Sequence, residues 1–207
     1  TIAYIKESFS QLPFEYVSFY APTFTLNESW VRKLCSDMKE QNALHPWKCT
    51  TTQFHLDRDL VGAMADAKCF RISVGIETFE AGALSVLPKH KHEARIQFDR
   101  IYGWCQEFGI ELNCFVVVGL PGTTVDGTKV TFEYLSKEGI RIRPSIYSNY
   151  GLLRPDMAEQ EMVHFLGRHI LPEDSGFSQA ERMRLYQLAF VMDKTTSATI
   201  NIPVNRR

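Results

Sequence analysis

A single acidic residue closes a short apolar run. Glu77 directly follows the segment ISVGI at residues 72–76. A carboxylate at the end of a buried strand needs a hydrogen-bond donor or a cation, because an uncompensated buried charge is unfavourable. The hydroxyl groups or the ammonium group of a ligand would satisfy Glu77. The alternative is structural, with the carboxylate capping a helix that begins near Thr78.

A glycine-rich corner follows a second apolar run. Residues 114–124 read CFVVVGLPGTT. Gly119 and Gly122 allow a tight turn and the close approach of a ligand to the backbone, while Pro121 fixes the turn. Thr124 is placed to cap a following helix. The corner is not a phosphate-binding loop, because the Gly-Lys-Ser/Thr ending is absent. The alternative to a ligand site is a simple tight turn between a strand and a helix.

Both segments belong to an alternation of β-rich runs and helical patterns, which predicts parallel βαβ units and an α/β fold. The carboxyl ends of parallel strands meet at one edge, where ligands bind in open sheets and in barrels. Glu77 and the glycine corner are expected at that edge. The predicted strands lie at residues 15–22, 46–53, 70–78, 111–119 and 140–148. The predicted helices cover residues 28–42, 58–68, 80–87, 91–108, 125–138, 156–166 and 178–194.

The composition is that of a globular protein without a strong charge field. Hydrophobic residues make up 44% of the sequence and the formal net charge is −1, which gives no general attraction to nucleic acid or to an anionic membrane. No apolar run approaches the roughly 20 residues of a membrane-spanning helix. An odd number of widely spaced cysteines favours reduced, buried thiols and a cytoplasmic protein. They are Cys35, Cys49, Cys69, Cys105 and Cys114.

Several segments, taken in order, resemble the radical S-adenosylmethionine (SAM) superfamily, and most of all the branch whose members often carry a cobalamin-binding domain. They are FYAPTFTLNESWV at 19–31, WKCTTTQFHLD at 47–57, SVGIET at 73–78 and FVVVGLPGTT at 115–124. The resemblance covers roughly residues 14–150. It implies a partial TIM-like barrel of about five βα units over 1–150, without the family's first strand and cluster loop. Residues 151–207 are expected to form a C-terminal helical and irregular extension.

The resemblance also implies which residues bind the methionine part of SAM. Tyr20, Ala21 and Thr23 occupy the motif that receives the amino group, although relatives often have an acid at the position of Ala21. Thr52 and Gln53 lie where the third strand of the family approaches the methionyl end or the ribose, and many relatives have Arg at the position of Gln53. Glu77 is the polar residue for the ribose and the amino acid, and Lys89 is the cation for the carboxylate.

The adenosine part is expected at the last two strands of the resemblance. Asn113, Phe115 and Val117 share one parity, which would point them toward the ribose and the adenine. The corner Gly119, Leu120 and Pro121 lies beside the adenine. Ile146 and Tyr147 would offer backbone and ring atoms to it. Such a set supplies an acid, a base, small residues that allow close approach, and an apolar wall, as a SAM site requires.

The motif that defines the superfamily, Cys-x-x-x-Cys-x-x-Cys, is absent from the sequence. That motif holds a 4Fe-4S cluster, which SAM approaches through an open iron. The complete enzyme would cleave SAM reductively and abstract hydrogen from a small-molecule or peptide substrate. Where cobalamin is bound, methyl transfer to carbon is the expected outcome. This chain alone is expected to be inactive.

Several explanations of the missing motif stay open. The chain could be the later part of a longer enzyme, or a partner chain could carry the cluster. It could also be a non-catalytic relative that binds SAM or a partner. An unrelated aldolase-type TIM barrel is disfavoured, because five strands do not close an eight-stranded barrel and no lysine is placed for a Schiff base. No catalytic residue and no metal ligand is assigned.

Overall fold

Strands and helices alternate along the chain, and the strands form one parallel five-stranded sheet in the order β1 to β5. The computed structural model describes residues 1–149, 151, 153–167 and 177–196. This arrangement is a partial α/β barrel of the TIM type, as the sequence predicts. The strands are β1 (Val17–Phe19), β2 (Trp47–Thr51), β3 (Cys69–Glu77), β4 (Glu111–Val118) and β5 (Arg141–Ile146). The α-helices in the described residues are α1 (Ile2–Gln11), α2 (Glu28–Glu40), α3 (Arg58–Asp66), α4 (Ala94–Phe108), α5 (Val125–Lys137), α6 (Glu159–Gly167) and α7 (Gln179–Thr196).

One predicted helix takes a different form. Residues 80–87 contain a 3-10 helix at Ala81–Val86 instead of an α-helix, and a second 3-10 turn at Lys89–Lys91 precedes α4. Tertiary contacts of Glu80 and Gly82, described below, hold this part of the chain in its tighter form. The rest of the predicted C-terminal extension, residues 168–176 and 197–207, lies outside the described residues.

The helices begin at side chains that the sequence identifies as caps. The side chains of Asn27, Asp57 and Thr124 accept hydrogen bonds from the first turns of α2, α3 and α5, at 3.0, 2.6 and 3.0 Å. Each satisfies a backbone N–H group that has no partner within its helix. Ser178 and Glu181 form the predicted capping box of α7, with bonds of 2.8 and 3.2 Å between side chain and backbone.

Three helices end in the same left-handed turn. Asn42, Gly109 and Gly139 follow α2, α4 and α5 with φ angles of 52, 69 and 71°. The N–H group of the next residue donates to a backbone carbonyl in the final turn of the helix. The three bonds run from Ala43 to Met38 (2.8 Å), from Ile110 to Cys105 (2.9 Å) and from Ile140 to Leu135 (2.8 Å). This is the Schellman motif, which satisfies carbonyl groups at the helix end. It returns the chain to the next strand within a few residues.

Burial alternates along β2. In β2, Trp47, Cys49 and Thr51 are buried, whereas Lys48 and Thr50 are partly exposed. Trp47 is completely buried and its indole N–H donates to the Ala67 carbonyl at 2.8 Å. One face of β2 is therefore packed, and its other face keeps polar side chains that are partly accessible.

The described residues fall into two compact units. The first contains Thr1–Ile76 and Ala94–Cys114, and the second contains Glu77–Glu93 and residues 115–196. Within the second unit, α7 packs on β5 and on α5. The predicted division near residue 150 stays a prediction. Within the described ranges, no helix has the length and apolar character needed to cross a membrane.

Two glycines offer a matched test of the helix-end geometry. A Cβ atom at Gly139 or at Gly103, within α4, would meet no other atom within 4 Å, but only Gly139 has a positive φ of 71°. We expect Gly139→Ala to lower the free energy of unfolding by about 1 kcal/mol, because alanine is strained in the left-handed region. We expect Gly103→Ala to raise it by about 0.8 kcal/mol through helix propensity. Urea denaturation measures both changes in the free energy of unfolding. Changes of the same sign would contradict the left-handed conformation at Gly139.

Candidate functional site

Glu77 ends β3 in a conformation that is uncommon for a residue with a side chain. Its φ angle is 58°, in the left-handed region. The Lys91 ammonium donates to Glu77 Oε1, and the two side chains are only 17% and 21% exposed. Such backbone outliers persist where the surrounding structure holds them, often at functional sites. The cation that Glu77 was expected to need is therefore supplied, in this state, by Lys91.

The structural alternative for Glu77 does not hold. The residues after it do not begin an α-helix, and the Thr78 hydroxyl instead accepts the Glu80 N–H group at 3.0 Å. Lys89, the cation implied by the resemblance, lies exposed at the start of the turn Lys89–Lys91. The resemblance selects Lys89 because it lies twelve positions after Glu77. In the structure, the ion pair of Glu77 is made by Lys91.

The Glu80 carboxylate lies at the N-terminus of α5. Its Oε2 atom accepts from the Thr124 backbone N–H and hydroxyl groups at 2.8 and 2.9 Å, and its Oε1 atom accepts from the Thr128 hydroxyl at 3.3 Å. A negative charge at this end of a helix is favoured by the helix dipole. Glu80 therefore joins the Glu77–Glu93 segment to α5. Nothing in the local sequence pattern marks this residue, since its partners are more than forty positions away.

The glycine corner at residues 119–122 packs against the same segment. Gly119 and Gly122 have φ angles of 79 and 85°, so both use the freedom that the sequence indicated. A Cβ atom on Gly122 would clash with the Gly82 carbonyl oxygen, and one on Gly82 would clash with the Gly122 carbonyl oxygen. The close approach at this corner is thus between two stretches of backbone. Thr123 completes the turn by donating its N–H to the Leu120 carbonyl at 3.0 Å.

In the first unit, predicted binding residues carry buried polar atoms without partners. Gln53 is fully buried, and within the described residues neither its Oε1 nor its Nε2 atom has a hydrogen-bond partner. The same holds for the Thr52 hydroxyl and for Asn113 Oδ1, although Asn113 donates to the Ser73 hydroxyl at 2.9 Å. Each unsatisfied buried group costs about 1–3 kcal/mol, so native structures keep few of them. All three residues are among those that the resemblance assigns to SAM.

The remaining predicted residues are distributed over both units. Tyr20 is fully exposed, and Ala21 and Thr23 are partly exposed in the loop after β1. In the second unit, the Tyr147 N–H group donates to the Val118 carbonyl at 2.9 Å, which joins the end of β5 to the end of β4 beside Gly119. The first unit holds Tyr20, Ala21, Thr23, Thr52, Gln53 and Asn113. The second holds Glu77, Lys89, Phe115, Val117, Gly119, Leu120, Pro121, Ile146 and Tyr147.

The cysteines do not fit an iron–sulfur cluster. Each cysteine in the sequence is buried as a free thiol, and no three His, Cys, Asp or Glu side chains of the described residues form a group that could hold a metal. Burial raises the pKa of the Cys35 thiol to about 11 and that of Cys105 to about 12. It also raises the pKa of Cys69 and Cys114 well above the usual range. Since thiolates are the cluster ligands, these four thiols, whose pKa is raised by burial, are poor donors.

The structure is similar to solved structures of radical SAM enzymes. Coproporphyrinogen III oxidase (HemN) from Escherichia coli, a radical SAM enzyme, aligns over 88% of this chain with a TM-score of 0.61 and 16% identity. The radical SAM methyltransferase TsrM from Kitasatospora setae, with cobalamin and a 4Fe-4S cluster bound, aligns over 68% with a TM-score of 0.57 and 16% identity. Methylornithine synthase (PylB) aligns over 91% with a TM-score of 0.51 and 14% identity. The chain has the fold of radical SAM enzymes, as its motifs predict.

The alignments cover only part of each similar protein. This chain spans 40% of the HemN chain, 29% of the TsrM chain and 60% of the PylB chain. The sequence gives no significant match to a protein-family model or to a curated protein. At identities this low the likeness establishes the fold, and function depends on the residues of the site.

The role of Glu80 can be tested against a nearby acid. We expect Glu80→Ala to lower the free energy of unfolding by about 1–2 kcal/mol, because it removes a charged partner from the N-terminus of α5. Glu93→Ala, at an exposed position of the same segment, should change it by less than about 0.5 kcal/mol. Chemical denaturation gives both values. Equal losses in the two variants would mean that Glu80 does not hold the segment.

Proposed function

We propose that this chain binds SAM and forms the SAM-binding part of a radical SAM enzyme. The observation that carries the proposal is the set of buried polar atoms without partners at Thr52, Gln53 and Asn113. The resemblance assigns all three residues to SAM. The fold of radical SAM enzymes supports the same ligand. A bound ligand with hydroxyl, ammonium and carboxylate groups would satisfy atoms that the described residues leave without partners.

The chemistry of the other residues suits the parts of SAM. Glu77 offers a carboxylate to the ammonium group or the ribose hydroxyls, and the glycine corner would lie beside the adenine. Phe115 and Val117 are partly exposed apolar side chains, suited to the ribose and the base. When bound, SAM supplies the sulfonium group that radical SAM enzymes cleave reductively before hydrogen is abstracted from an organic substrate. Cobalamin-dependent methylation of carbon is the finer proposal, supported by the likeness to TsrM.

We infer that the 4Fe-4S cluster for this reaction comes from outside these residues, because the cysteines do not fit it. Either the remainder of a longer enzyme or a partner chain would carry it. In the first unit, β1 stands at the edge of the sheet in the described chain. A largely apolar pocket of about 360 Å³ lies beside it, lined among others by Tyr4, Phe14 and Tyr16. An exposed strand edge next to an apolar pocket can accept a further strand.

Gln53 gives the sharpest test of SAM binding. We expect Gln53→Met to raise the free energy of unfolding of the ligand-free protein by about 1 kcal/mol, because it removes an unsatisfied buried amide. The same change should weaken SAM binding about tenfold, which corresponds to about 1.4 kcal/mol. Denaturation and isothermal titration calorimetry measure the two effects.

Gln106→Met, at an exposed position of α4, is the matched control and should alter neither quantity. A Gln53→Met protein that is less stable and binds SAM unchanged would show that the amide is structural. A wild-type protein that does not bind SAM would overturn the proposed function.

The second candidate function is a non-catalytic module that binds SAM or a partner, and the misfit of the cysteines favours it. Anaerobic reconstitution of this chain with iron and sulfide should yield no stoichiometric cluster, because no three Cys, His, Asp or Glu side chains of the described residues form a group that could hold a metal. If the chain is part of an enzyme, 5′-deoxyadenosine should form under reducing conditions once the cluster-bearing segment or partner is present. SAM binding without 5′-deoxyadenosine in that complete assembly would favour the module. A stoichiometric cluster on this chain alone would contradict the site described above.

A further inference from the structure

We propose that Gln97, on α4, is a positioning residue of the first unit: it holds the turn that carries Gln53 and thereby sets the affinity for the ligand. This inference rests on the proposed function, which assigns Gln53 to SAM. The observation behind it is a hydrogen bond of 3.1 Å, in which Gln97 Nε2 donates to the backbone carbonyl of Gln53. The two residues are 44 positions apart, so tertiary structure alone brings them together.

The turn needs support from another element because the sheet ends before it. The pairing of β2 with β3 reaches Thr51, and the chain then enters a single 3-10 turn, Gln53–His55. Within this turn the His55 N–H group donates to the Thr52 carbonyl over a long 3.4 Å. A 3-10 turn has poorer hydrogen-bond geometry than an α-helix, so its own bonds hold it weakly. Its conformation therefore depends on contacts with the rest of the unit.

The strand before the turn is fixed from the opposite direction. The Thr51 hydroxyl accepts the Thr25 N–H group at 3.3 Å and lies 2.5 Å from the Thr25 hydroxyl, and both residues are buried. These bonds hold the end of β2 against the loop after β1. The bond from Gln97 reaches the chain two residues later, from α4. The turn is thus attached on both sides, and Gln97 supplies the attachment at Gln53 itself.

The direction of the Gln53 amide follows from the position of this turn. The side chain is completely buried, and among the described residues its Oε1 and Nε2 atoms have no partner. A side chain in a close-packed interior cannot reorient freely, so a shift of the backbone becomes a shift of the amide. Hydrogen bonds weaken steeply as distance and angle depart from their optimum. Gln97 therefore acts on ligand affinity through Gln53, while its own Nε2 atom is engaged by the carbonyl.

A double-mutant cycle with SAM, measured by isothermal titration calorimetry, tests this indirect role. Gln97→Met removes the donor and keeps the length of the side chain, and we expect it to weaken SAM binding about fivefold, the scale of one neutral hydrogen bond. In the Gln53→Met background the same change should cost less than about twofold, because the amide that it positions is gone. Independent residues would instead give additive losses of free energy. A full fivefold loss in that background would overturn the inference.

The remaining variants separate positioning from a general effect on folding. Gln97→Lys keeps a donor on a side chain of similar length and should recover part of the lost affinity. Gln106→Met, at an exposed position of the same helix, should leave the affinity unchanged. Thermal unfolding of each variant establishes that it is folded. A loss in Gln97→Lys as large as that in Gln97→Met would mean that the donor is not what matters and would contradict the inference.

Hydrogen exchange of the ligand-free protein tests the positioning without SAM. We expect Gln97→Met to speed amide exchange in a peptide covering residues 52–57 about fivefold, because the turn loses one of its attachments. Exchange in β3 should stay the same. Unchanged exchange at residues 52–57 would overturn the inference even if SAM binds. A wild-type protein that does not bind SAM would overturn the proposed function and the effect on affinity, whereas faster exchange would still show that Gln97 holds the turn.

Discussion

The carboxylate of Glu80 at the N-terminus of α5 is the interaction on which the candidate site in the second unit depends. It accepts the Thr124 N–H and hydroxyl groups at 2.8 and 2.9 Å, and so ties the chain leaving β3 to the helix that follows β4. Once this tie is made, Gly82 and Gly122 must approach too closely for a side chain on either. A single charge at a helix terminus therefore holds the start of the segment beside the glycine corner.

The features that follow from local chemistry could be predicted from the sequence. Asn27, Asp57 and Thr124 are residue types that satisfy free N–H groups, and each caps the helix that its position indicated. Gly119 and Gly122 take the positive φ angles that their corner requires. The alternation of strands and helices specifies a parallel sheet, because a parallel connection requires a crossover. These predictions depend on a few neighbouring residues, and tertiary structure has little reason to override them.

The features that depend on distant contacts could not be predicted. Glu80 acts on residues 44 and 48 positions away, and no period or motif relates them. Which lysine pairs with Glu77 depends on the tertiary contacts of the 3-10 turn Lys89–Lys91. Residues 80–87 have a helical pattern but contain a 3-10 helix. Gln53 was identified through a resemblance, but its complete burial without partners becomes visible only when the surrounding residues are in place. Tertiary packing decides each of these points.

The two units show different ways of keeping polar groups out of water. In the first unit, Gln53 and Asn113 hold buried atoms without partners among the described residues, which costs stability. Glu77 is instead satisfied in advance by Lys91, so the ligand-free protein avoids an isolated buried charge. Removing the Gln53 amide would remove unsatisfied buried atoms, whereas removing the Lys91 charge would leave the Glu77 carboxylate without its partner. Substitutions at the two positions are therefore expected to change the free energy of unfolding in opposite directions.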